Sequence, residues 1–383
     1  MSDGPVVHIS QMGNLGNQMI QYMVARAVAA FAGPARISAV GLPLFGLHHP
    51  PIEGDFPATE VVTATRVEVD RLARALANGK LQRVDIRTYG QRIENFLPAQ
   101  AYRGVFTTQA AGVQGAGADE VLCNIRQGDI LDGHHPDYVL LPLEFYAEIV
   151  ALTGLRPVFM GQLEDSLYMD ALRARFPAAR YVASGGAAVD FERIKRSRFI
   201  VPSISTFSWL AAWLSDAEQI FMPVLGLFNP AQNRGVDLIP LWDSRYRFFQ
   251  FPVHYASRVD NFAASHASLR GLWRQTAPLE LAALLHRRPP VREKKLYLAA
   301  FDEIYYRRTY DDVAMAIAAG DLPDGRYHYE MCGFDEGRVG FALDGAAYCR
   351  DHPIAAVEIA NGDYWDPAHH WLSTGRARGY SAV

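Results

Sequence analysis

The feature that most constrains the fold is a regular alternation of short apolar runs and helical patterns between residues 121 and 222. The apolar runs span three to five residues each, at 121–125, 157–160, 180–183, 199–201 and 219–222. Segments with a helical spacing of apolar residues separate them, at 143–152, 165–176, 191–196 and 207–214. Strands that alternate with helices pair in parallel and are covered on both faces. The sequence therefore predicts a doubly wound α/β domain in this region.

The chain opens with the same unit. An apolar run at residues 6–9 is followed by a glycine-containing loop, and apolar residues then recur with helical spacing from Met19 to Phe31. Strand, glycine loop and helix in this order begin a doubly wound domain. The Gly- and Ala-rich stretch at 104–120 connects the two regions. The sequence thus predicts two such domains, residues 1–115 and 116–288.

The last part of the chain differs in composition from the rest. A charged stretch at 286–295, with a pair of prolines at 289 and 290, has the character of an exposed linker. Residues 296–383 are rich in Tyr, Asp and Gly. One pattern occurs twice there, with the copies 42 positions apart: HY-x3-G-x3-GR at residues 328–338 and HW-x3-G-x3-G at residues 370–379. We expect a small appended module, residues 296–383, with an internal repeat.

The bulk properties argue against some classes of partner and location. The formal net charge is −4, so no basic field points to nucleic acid or to a membrane surface. The three cysteines lie far apart without the spacing of zinc ligands, and so few of them indicate a reducing compartment. The polar start does not have the form of a signal peptide, and no apolar run reaches membrane-spanning length. We therefore expect a cytoplasmic protein.

The first of three candidate binding motifs is GNLGNQ at residues 13–18, where the opening strand turns into the helix. Glycines at such a turn let the backbone approach a ligand closely. The helix N-terminus offers unpaired N–H groups, and Asn17 and Gln18 add amide donors. A tight turn with an asparagine N-cap explains the motif equally well. The spacing matches neither the dinucleotide-binding G-x-G-x-x-G nor a P-loop.

The second motif is NIRQGD at residues 124–129, at the carboxyl end of a predicted strand. Ligands of open α/β sheets bind at that edge. The guanidinium of Arg126 keeps its charge and can hold a diphosphate through two parallel N–H bonds. From the residues alone, an ion pair between Arg126 and Asp129 that orders the loop is the stronger alternative.

The third motif is SISTFSWLAAWL at residues 203–214, in which hydroxyl side chains crowd the start of an apolar helix. The N-terminus of a helix carries a partial positive charge and free N–H groups, which together bind anions. Simple N-capping by Ser205 or Thr206 explains the hydroxyl residues equally well.

Metal ligands are not evident in the sequence. It contains no Asp-x-Asp triplet, and no cluster of His, Cys and carboxylate residues stands out by metal-ligand spacing. A diphosphate bound by these motifs would therefore be neutralised by Arg126 and a helix N-terminus without a cation. We expect no metal and no cofactor besides the substrate.

Taken in order, these motifs resemble those of bacterial α-1,2-fucosyltransferases. GNLGNQMIQY at residues 13–22 is similar to the family's G-G-x-G-N-Q-M-F-Q-Y, and NIRQGD is similar to its H-x-R-R-G-D. PLEFY at residues 142–146 resembles the P-L-x-Y-Y that follows, and STFSWLAAWL at residues 205–214 resembles S-T-F-S-W-W-A-A-W-L. The resemblance extends over residues 6–225.

The resemblance implies two Rossmann-like domains that face each other across a cleft, the GT-B arrangement, with the acceptor side on residues 1–115 and the nucleotide-sugar side on residues 116–288. It also implies metal-independent transfer of a sugar to a glycan hydroxyl with inversion of the anomeric carbon, GDP-fucose being the best candidate donor. Arg126 and Asn17 are then the candidate catalytic residues, and Asp190 is the candidate partner of the guanine edge. The candidate donor-binding residues are Gly16, Asn17, Gln18, Asn124, Arg126, Asp190, Ser205, Thr206, Phe207 and Ser208.

Four departures from the family pattern bear on the identity of the sugar. They leave two alternatives open: a transferase for another nucleotide sugar, and an inactive relative that only binds a nucleotide or a glycan. Retention of Arg126, Asn17 and the hydroxyl run argues against the inactive relative. The departures are Asn124 for the family His, Gln127 for the second Arg, Ile204 for an Asn and Leu210 for a Trp.

The tail resembles a small module found beside many bacterial glycosyltransferase domains. Its pattern of F-D-x-x-Y-Y, Y-P-D-V-A, H-Y, G and E-G-R is nearly complete between Phe301 and Arg338, with Asp311 where proline is usual. This second resemblance implies a glycan context. Because the proline-containing linker and the change in composition isolate residues 296–383, we expect them to form a separate module that docks a partner.

For the general base of a transfer reaction the sequence offers Asp129, His134 and His135 without deciding among them.

Overall fold

The computed structural model describes residues 4–110, 112–131, 135–256, 262–286 and 291–382. The first part of the chain forms a four-stranded parallel sheet with strand order β2-β1-β6-β5, together with a short hairpin of β3 and β4. The elements in chain order are β1 (Val6–Ile9), α1 (Leu15–Ala32), β2 (Arg36–Ser38), β3 (Val40–Leu42), β4 (Leu47–His49), β5 (Thr59–Val62), α2 (Val69–Ala77), β6 (Arg83–Ile86) and α3 (Gln100–Arg103).

The middle of the chain forms a seven-stranded sheet with strand order β13-β12-β11-β10-β7-β8-β9. All neighbours pair in parallel except β12 and β13. The elements in chain order are β7 (Glu120–Ile125), α4 (Gly128–Leu131), α5 (Leu143–Thr153), β8 (Arg156–Gly161), α6 (Leu167–Arg175), β9 (Arg180–Ala183), α7 (Ala187–Lys195), β10 (Phe199–Val201), α8 (Thr206–Trp213), β11 (Gln219–Val224), β12 (Tyr246–Gln250), α9 (Phe262–Leu269), β13 (Arg274–Thr276) and α10 (Pro278–His286).

The predicted α/β class is confirmed, and the larger sheet has a Rossmann-like strand order. From β9 to β12 the order is 3-2-1-4-5-6 when β7 is counted as strand one. The chain leaves β7 in one direction through β8 and β9 and returns on its other side with β10. The crevice at the carboxyl ends of β7 and β10 is therefore the topological switch point, where ligands of such sheets bind.

Burial explains why these segments pair as they do. β7 is buried along its whole length, as a central strand covered by helices on both faces should be. Five strands of this sheet agree with those predicted from the sequence, whereas β12 and β13 were not predicted. Within the smaller sheet it assigned only β1.

The two sheets share a continuous hydrophobic core. α1 packs against α8, and the ring of Phe96 lies 6.1 Å from that of Trp213. The hydroxyl of Tyr102, in α3, donates to the carbonyl of Met23 in α1 at 3.0 Å, and its ring also contacts Trp213. Aromatic packing therefore fixes the N-terminal elements against α8, the helix that carries the third motif.

The described residues of the tail form helices joined by turns and loops, and they contain the repeat that the sequence predicted. In each copy helix-start aspartates cap the following turn, a tyrosine hydroxyl contacts a histidine, and the third helix continues as a π-turn. The elements are α11 (Lys294–Ala299), α12 (Glu303–Thr309), α13 (Asp311–Ala319), α14 (Gly325–His328), α15 (Gly345–Asp351), α16 (Pro353–Ala360) and α17 (Pro367–His370), with π-turns at Tyr329–Gly333 and Trp371–Gly375.

The second copy packs against the larger sheet. Ala355, Ala356 and Ile359 of α16 share a buried cluster with Val253, which follows β12. The backbone N–H of Val253 donates to the carbonyl of Ala356 at 3.2 Å. Residues 287–290 of the expected linker, including both prolines, lie outside the described residues. Among the helices that the structure describes, none is long and apolar enough to cross a membrane.

Candidate functional site

A cavity of about 520 Å³ lies at the switch point of the larger sheet and is closed on one side by the start of α1. Its walls come from the ends of β7, β8 and β9, from the first turn of α8 and from the loop before α1. All three sequence motifs contribute to it. The lining residues are Asn14, Leu15, Gly16, Asn17, Asn124, Ile125, Arg126, Asp129, Tyr138, Gly161, Gln162, Ser184, Ala187, Asp190, Ser205, Thr206 and Phe207.

The first turns of α1 and α8 meet at this cavity. The side-chain oxygen of Asn17 accepts hydrogen bonds from Nε2 of Gln91 at 2.9 Å and from the hydroxyl of Thr206 at 3.1 Å. Beside it, a Cβ added to Gly16 would lie 2.6 Å from the backbone nitrogen of Phe207. Only glycine permits so close an approach of the two helix starts.

The start of α8 is not closed by a side-chain cap. Ser205 occupies the N-cap position in extended conformation without a capping bond, and the hydroxyl of Thr206 is used by Asn17. The first N–H groups of a helix have no partner within the helix, so those of this turn are available to an acceptor in the cavity. The structure therefore shows no N-capping bond from Ser205, and the hydroxyl of Thr206 bonds to Asn17 instead.

Arg126 lies at the cavity wall in a bidentate ion pair with Asp129. Its Nε and Nη2 donate to the two carboxylate oxygens at 3.2 and 2.6 Å. The guanidinium also lies over the ring of Tyr138, 4.6 Å from its centroid. Burial raises the pKa of the Tyr138 hydroxyl, and the charge of Arg126 opposes that shift. The ion pair that the sequence offered as the alternative for this motif is present, and it borders the cavity.

Asn124 and Gln127 are held in structural hydrogen bonds. The amide of Asn124 accepts from the hydroxyl of Ser203 at 2.8 Å and donates to the carbonyl of Met160 at 3.2 Å, which ties the ends of three strands together. Gln127 is buried, and its Nε2 donates to the carbonyl of Glu164 at 2.6 Å. These two departures from the family pattern thus form polar links within the protein.

Asp190 lies in the first turn of α7 and lines the cavity. One carboxylate oxygen accepts from the hydroxyl of Ser184 at 2.5 Å, and the other accepts from the backbone N–H of Gly185 at 3.0 Å. The side chain is largely buried. Because each carboxylate oxygen has a second lone pair, both oxygens can still accept from a ligand.

Two of the predicted site residues do not line the cavity. Gln18 donates to the carbonyl of Gly13 at 2.9 Å, and Ser208 is fully buried, with its hydroxyl accepting from the backbone N–H of Ser203. Both brace the loops that carry their neighbours.

The general base stays unassigned. Asp129 is engaged by Arg126. His134 lies outside the described residues. His135 is exposed, and its ring packs edge-on against Tyr138 with centroids 4.9 Å apart. Among the described residues, no group of three His, Cys, Asp or Glu side chains with metal-binding geometry lies in this cavity.

Sequence reasoning missed Tyr138, Gln162 and Ser184 in the wall and Gln91 behind Asn17. The side-chain oxygen of Gln162 accepts from the backbone N–H groups of Gln127 and Gly128 at 2.9 and 3.0 Å, so it shapes the second motif. A signal for Ser184 existed, because it follows the last residue of the strand predicted at 180–183, and Gln162 lies two residues past the strand predicted at 157–160. Gln91 and Tyr138 carry no such signal.

Comparisons with known proteins add no assignment. The chain matches no protein-family model, and no curated protein matches it at a significant level.

Proposed function

We propose that the chain is a glycosyltransferase that takes a sugar from a nucleoside diphosphate and passes it to a glycan hydroxyl, with GDP-fucose as the best candidate donor. The observation that carries the proposal is the meeting of two helix N-termini and Arg126 at the topological switch point. Each helix N-terminus is equivalent to about half a positive charge. Together with one guanidinium they suit the diphosphate of a nucleotide sugar.

In this proposal the two Rossmann-like parts, residues 1–115 and 116–288, face each other across the cleft in a GT-B arrangement. The donor occupies the larger sheet, with its diphosphate between Arg126 and the first turn of α8. The acceptor approaches from the side of α1. Asn17 lies between the two, since its side-chain oxygen is held by Gln91 and Thr206. Among the described residues its side-chain nitrogen has no acceptor, so it can donate to the donor phosphate or to the acceptor.

The chemistry is a single displacement. The acceptor oxygen forms a bond to the anomeric carbon while the bond from that carbon to the diphosphate oxygen breaks, and the hydroxyl proton passes to a base or to solvent. Negative charge grows on the leaving diphosphate in the transition state. Arg126 and the free N–H groups of α8 stabilise that charge, which lowers the barrier without a metal ion.

Asp190, in the cavity wall, supports a guanine base as the nucleobase of the donor. Guanine offers two adjacent N–H donors, and a carboxylate offers two acceptor oxygens. The contacts from Ser184 and Gly185 fix the orientation of that carboxylate and leave one lone pair on each oxygen. Uracil and cytosine do not present the same pair of donors.

A transferase for a different nucleotide sugar is the second candidate. The observation that favours it is that Asn124 and Gln127 are used inside the protein, so neither supplies the positive charge that the family pattern has there. This cavity therefore suits a donor that needs fewer contacts near Asn124 and Gln127 than the donor of the family does.

Calorimetric titration with GDP, UDP and CDP in excess EDTA tests the proposal. GDP should bind, and the two pyrimidine nucleotides should bind at least ~10-fold more weakly, a difference of about 1.4 kcal/mol. Asp190→Asn should remove most of that preference, whereas the exposed Asp165→Asn should leave it unchanged. Equal binding of all three nucleotides, or loss of GDP binding on chelation, would refute this assignment.

Product analysis then identifies the sugar. Incubation with GDP-fucose and a panel of other nucleotide sugars, each with mixed glycan acceptors, should yield a glycosylated product with one donor. Transfer from a donor other than GDP-fucose would select the second candidate. Nucleotide binding without transfer from any donor would support the inactive relative.

A further inference from the structure

Three side chains with metal-binding chemistry lie together in the first copy of the tail repeat, far along the chain from the cavity. His328 ends α14, Cys332 lies four residues further on in the π-turn, and Glu336 lies four residues beyond that in the turn that follows, so the three side chains lie close together. One ligand atom from each lies within 4.8 Å of the other two. The Sγ atom of Cys332 is 3.3 Å from Nε2 of His328.

We propose that His328, Cys332 and Glu336 bind a divalent transition metal, with Zn²⁺ as the ion that fits best. Zinc takes imidazole, thiolate and carboxylate ligands at about 2.0–2.3 Å in tetrahedral geometry. Two ligands at those distances lie roughly 3.3–3.6 Å apart, and the separation of the sulfur and the nitrogen already falls in that range. Glu336 is exposed, so a rotamer change can bring its carboxylate the remaining distance.

The histidine is already oriented for metal binding. Nδ1 of His328 lies 3.0 Å from the hydroxyl of Tyr306, in the neighbouring helix α12. Metal-ligating histidines use their second ring nitrogen in this way, because a hydrogen bond there fixes both the tautomer and the ring plane. Nε2 is then the nitrogen that faces Cys332 and the ion.

The second copy of the repeat shows which of these features the fold itself requires. There the hydroxyl of Tyr348 contacts Nδ1 of His370 at 2.6 Å, so the tyrosine–histidine pair is common to both copies. At the positions of Cys332 and Glu336, 42 residues further on, the chain has Thr374 and Arg378. Because the same helices form with threonine and arginine, the cysteine and the glutamate are not needed for the fold.

The two copies also differ in what the free histidine nitrogen contacts. In the second copy Nε2 of His370 is 2.8 Å from a carboxylate oxygen of Glu358, which also pairs with Arg378. The position equivalent to Glu358 in the first copy is Ala316. The acid that occupies the nitrogen in one copy is therefore missing from the other, where a thiol takes its place.

Arg338 supports the third ligand. Its Nε donates to a carboxylate oxygen of Glu336 at 2.7 Å, and its two Nη atoms donate to Asp312. Ligating carboxylates commonly have such a partner on their second oxygen. Metal binding would convert the Cys332 thiol to a thiolate with release of one proton to solvent and no change of oxidation state. Three protein ligands leave the fourth position of a tetrahedral ion to water or to an external ligand.

Titration of the full-length chain with Co²⁺, under a reductant that does not bind metals, tests the site. Cobalt in a tetrahedral site with one thiolate gives a sulfur-to-metal charge-transfer absorption and intense visible bands. We expect these to saturate at one equivalent, to be displaced by Zn²⁺, and to be accompanied by a higher melting temperature with Zn²⁺. The proposal would be overturned if the charge-transfer band is absent and the protein sample retains no more zinc than a buffer control without protein.

The second copy supplies the variants. Cys332→Thr combined with Glu336→Arg introduces the residues that the chain itself uses at the equivalent positions, so it should fold and lose the cobalt spectrum. Cys332→Ser is the alternative should the double variant fail to fold, and it should lose the charge-transfer band. Thr374→Ala, at the matched position of the second copy, should change nothing. A charge-transfer band that survives in the Cys332 variants would assign the metal to another thiol and overturn the site.

Discussion

The amide oxygen of Asn17 accepts a hydrogen bond from the hydroxyl of Thr206, 189 positions further along the chain, at 3.1 Å. Asn17 lies in the first turn of α1 and Thr206 in the first turn of α8, so one bond joins the helix starts of the two sheets. Both helices direct their N-termini at the same cavity. The bond therefore links the stability of this arrangement to the electrostatics of the proposed diphosphate site.

We predict that this bond couples the two residues energetically. Thr206→Val keeps the shape of the side chain and removes the donor, which should lower the free energy of unfolding by about 0.5–1.5 kcal/mol. In an Asn17→Ala background, the loss of unfolding free energy caused by Thr206→Val should be smaller by about 0.5 kcal/mol or more, because the acceptor of the bond is already gone. Urea unfolding of the four proteins measures the coupling. The control is Gln18→Ala, next to Asn17 but outside the cavity, whose effect on unfolding free energy should add to that of Thr206→Val. Strict additivity of Asn17→Ala and Thr206→Val would contradict the prediction.

Gly16→Ala should damage the site more than its small size suggests. The new methyl carbon would lie 2.6 Å from the backbone nitrogen of Phe207 and from the hydroxyl of Thr206, so α1 and α8 must move apart. We expect a loss of about 1–3 kcal/mol in unfolding free energy, typical of overpacking, together with weaker nucleotide binding.

The matched control for Gly16→Ala is Gly104→Ala, at a glycine with open space around it and a negative φ. That change should be neutral or slightly stabilising, since alanine restricts the unfolded chain. Thermal melts and calorimetry on both variants decide the matter. Equal behaviour of the two variants would show that the contact between α1 and α8 is not tight in solution.

The α/β class and the position of β7 could be predicted from the sequence, because strand and helix periods are local signals. The rule that ligands bind at the carboxyl ends of parallel strands placed the second motif at a site, and the resemblance to the fucosyltransferase family implied that all three motifs share it. The strands β12 and β13 escaped notice because their pairing depends on partners distant in sequence. For the same reason nothing in the sequence marked Gln91 as the donor that fixes Asn17.

The group formed by His328, Cys332 and Glu336 in the tail was not predicted, for another reason. The spacing of His328, Cys332 and Glu336 matches none of the common zinc motifs. They recur at four-residue intervals, and these intervals bring them together because residues 325–333 form a helix with a π-turn and residues 334–337 form the turn that follows. The repeat itself could be recognised in the sequence. Comparing its two copies required the hydrogen-bond partners of His328 and His370, which the structure provides.

Buried histidine should make the fold sensitive to acid. Burial, with smaller effects from His266 and Arg350, lowers the pKa of His254 from 6.5 to about 3. The unfolded chain therefore binds a proton that the folded chain excludes as pH falls below about 6.5. This contribution to stability is complete above that pH and is lost progressively toward pH 3, at up to about 1.4 kcal/mol per pH unit.

Urea unfolding between pH 7.5 and pH 4.5 measures this slope. His254→Gln should flatten it, whereas His48→Gln, at an exposed position, should leave it unchanged. If the unfolding free energy of the His254 variant depends on pH as steeply as that of the unmodified protein, a group other than His254 causes the acid sensitivity.

Removal of the tail should destabilise the larger sheet. A separate module would tolerate truncation after Lys295, but α16 buries Ala355, Ala356 and Ile359 against Val253, which follows β12. Their removal exposes apolar surface and leaves the N–H of Val253 without its partner at Ala356. We expect the truncated protein to melt at a lower temperature and to bind a hydrophobic dye. The substitution Ile354→Asp, at an exposed position of the same helix, should be harmless in the full chain.

The last prediction concerns the ion pair between Arg126 and Asp129, which both holds the guanidinium at the cavity wall and neutralises it. Asp129→Asn keeps the shape of the partner and removes one negative charge beside the proposed phosphates. Binding of GDP should therefore tighten several-fold, by about 1 kcal/mol.

Arg126→Ala should instead cut turnover by on the order of 10²–10³, about 3–4 kcal/mol, the scale of one lost oxyanion donor. Its melting temperature should change little, because a partly exposed pair contributes under about 1 kcal/mol. Lysine should rescue poorly, since it lacks the planar fork. If the pair only orders the loop, both variants will instead melt earlier and lose activity in proportion.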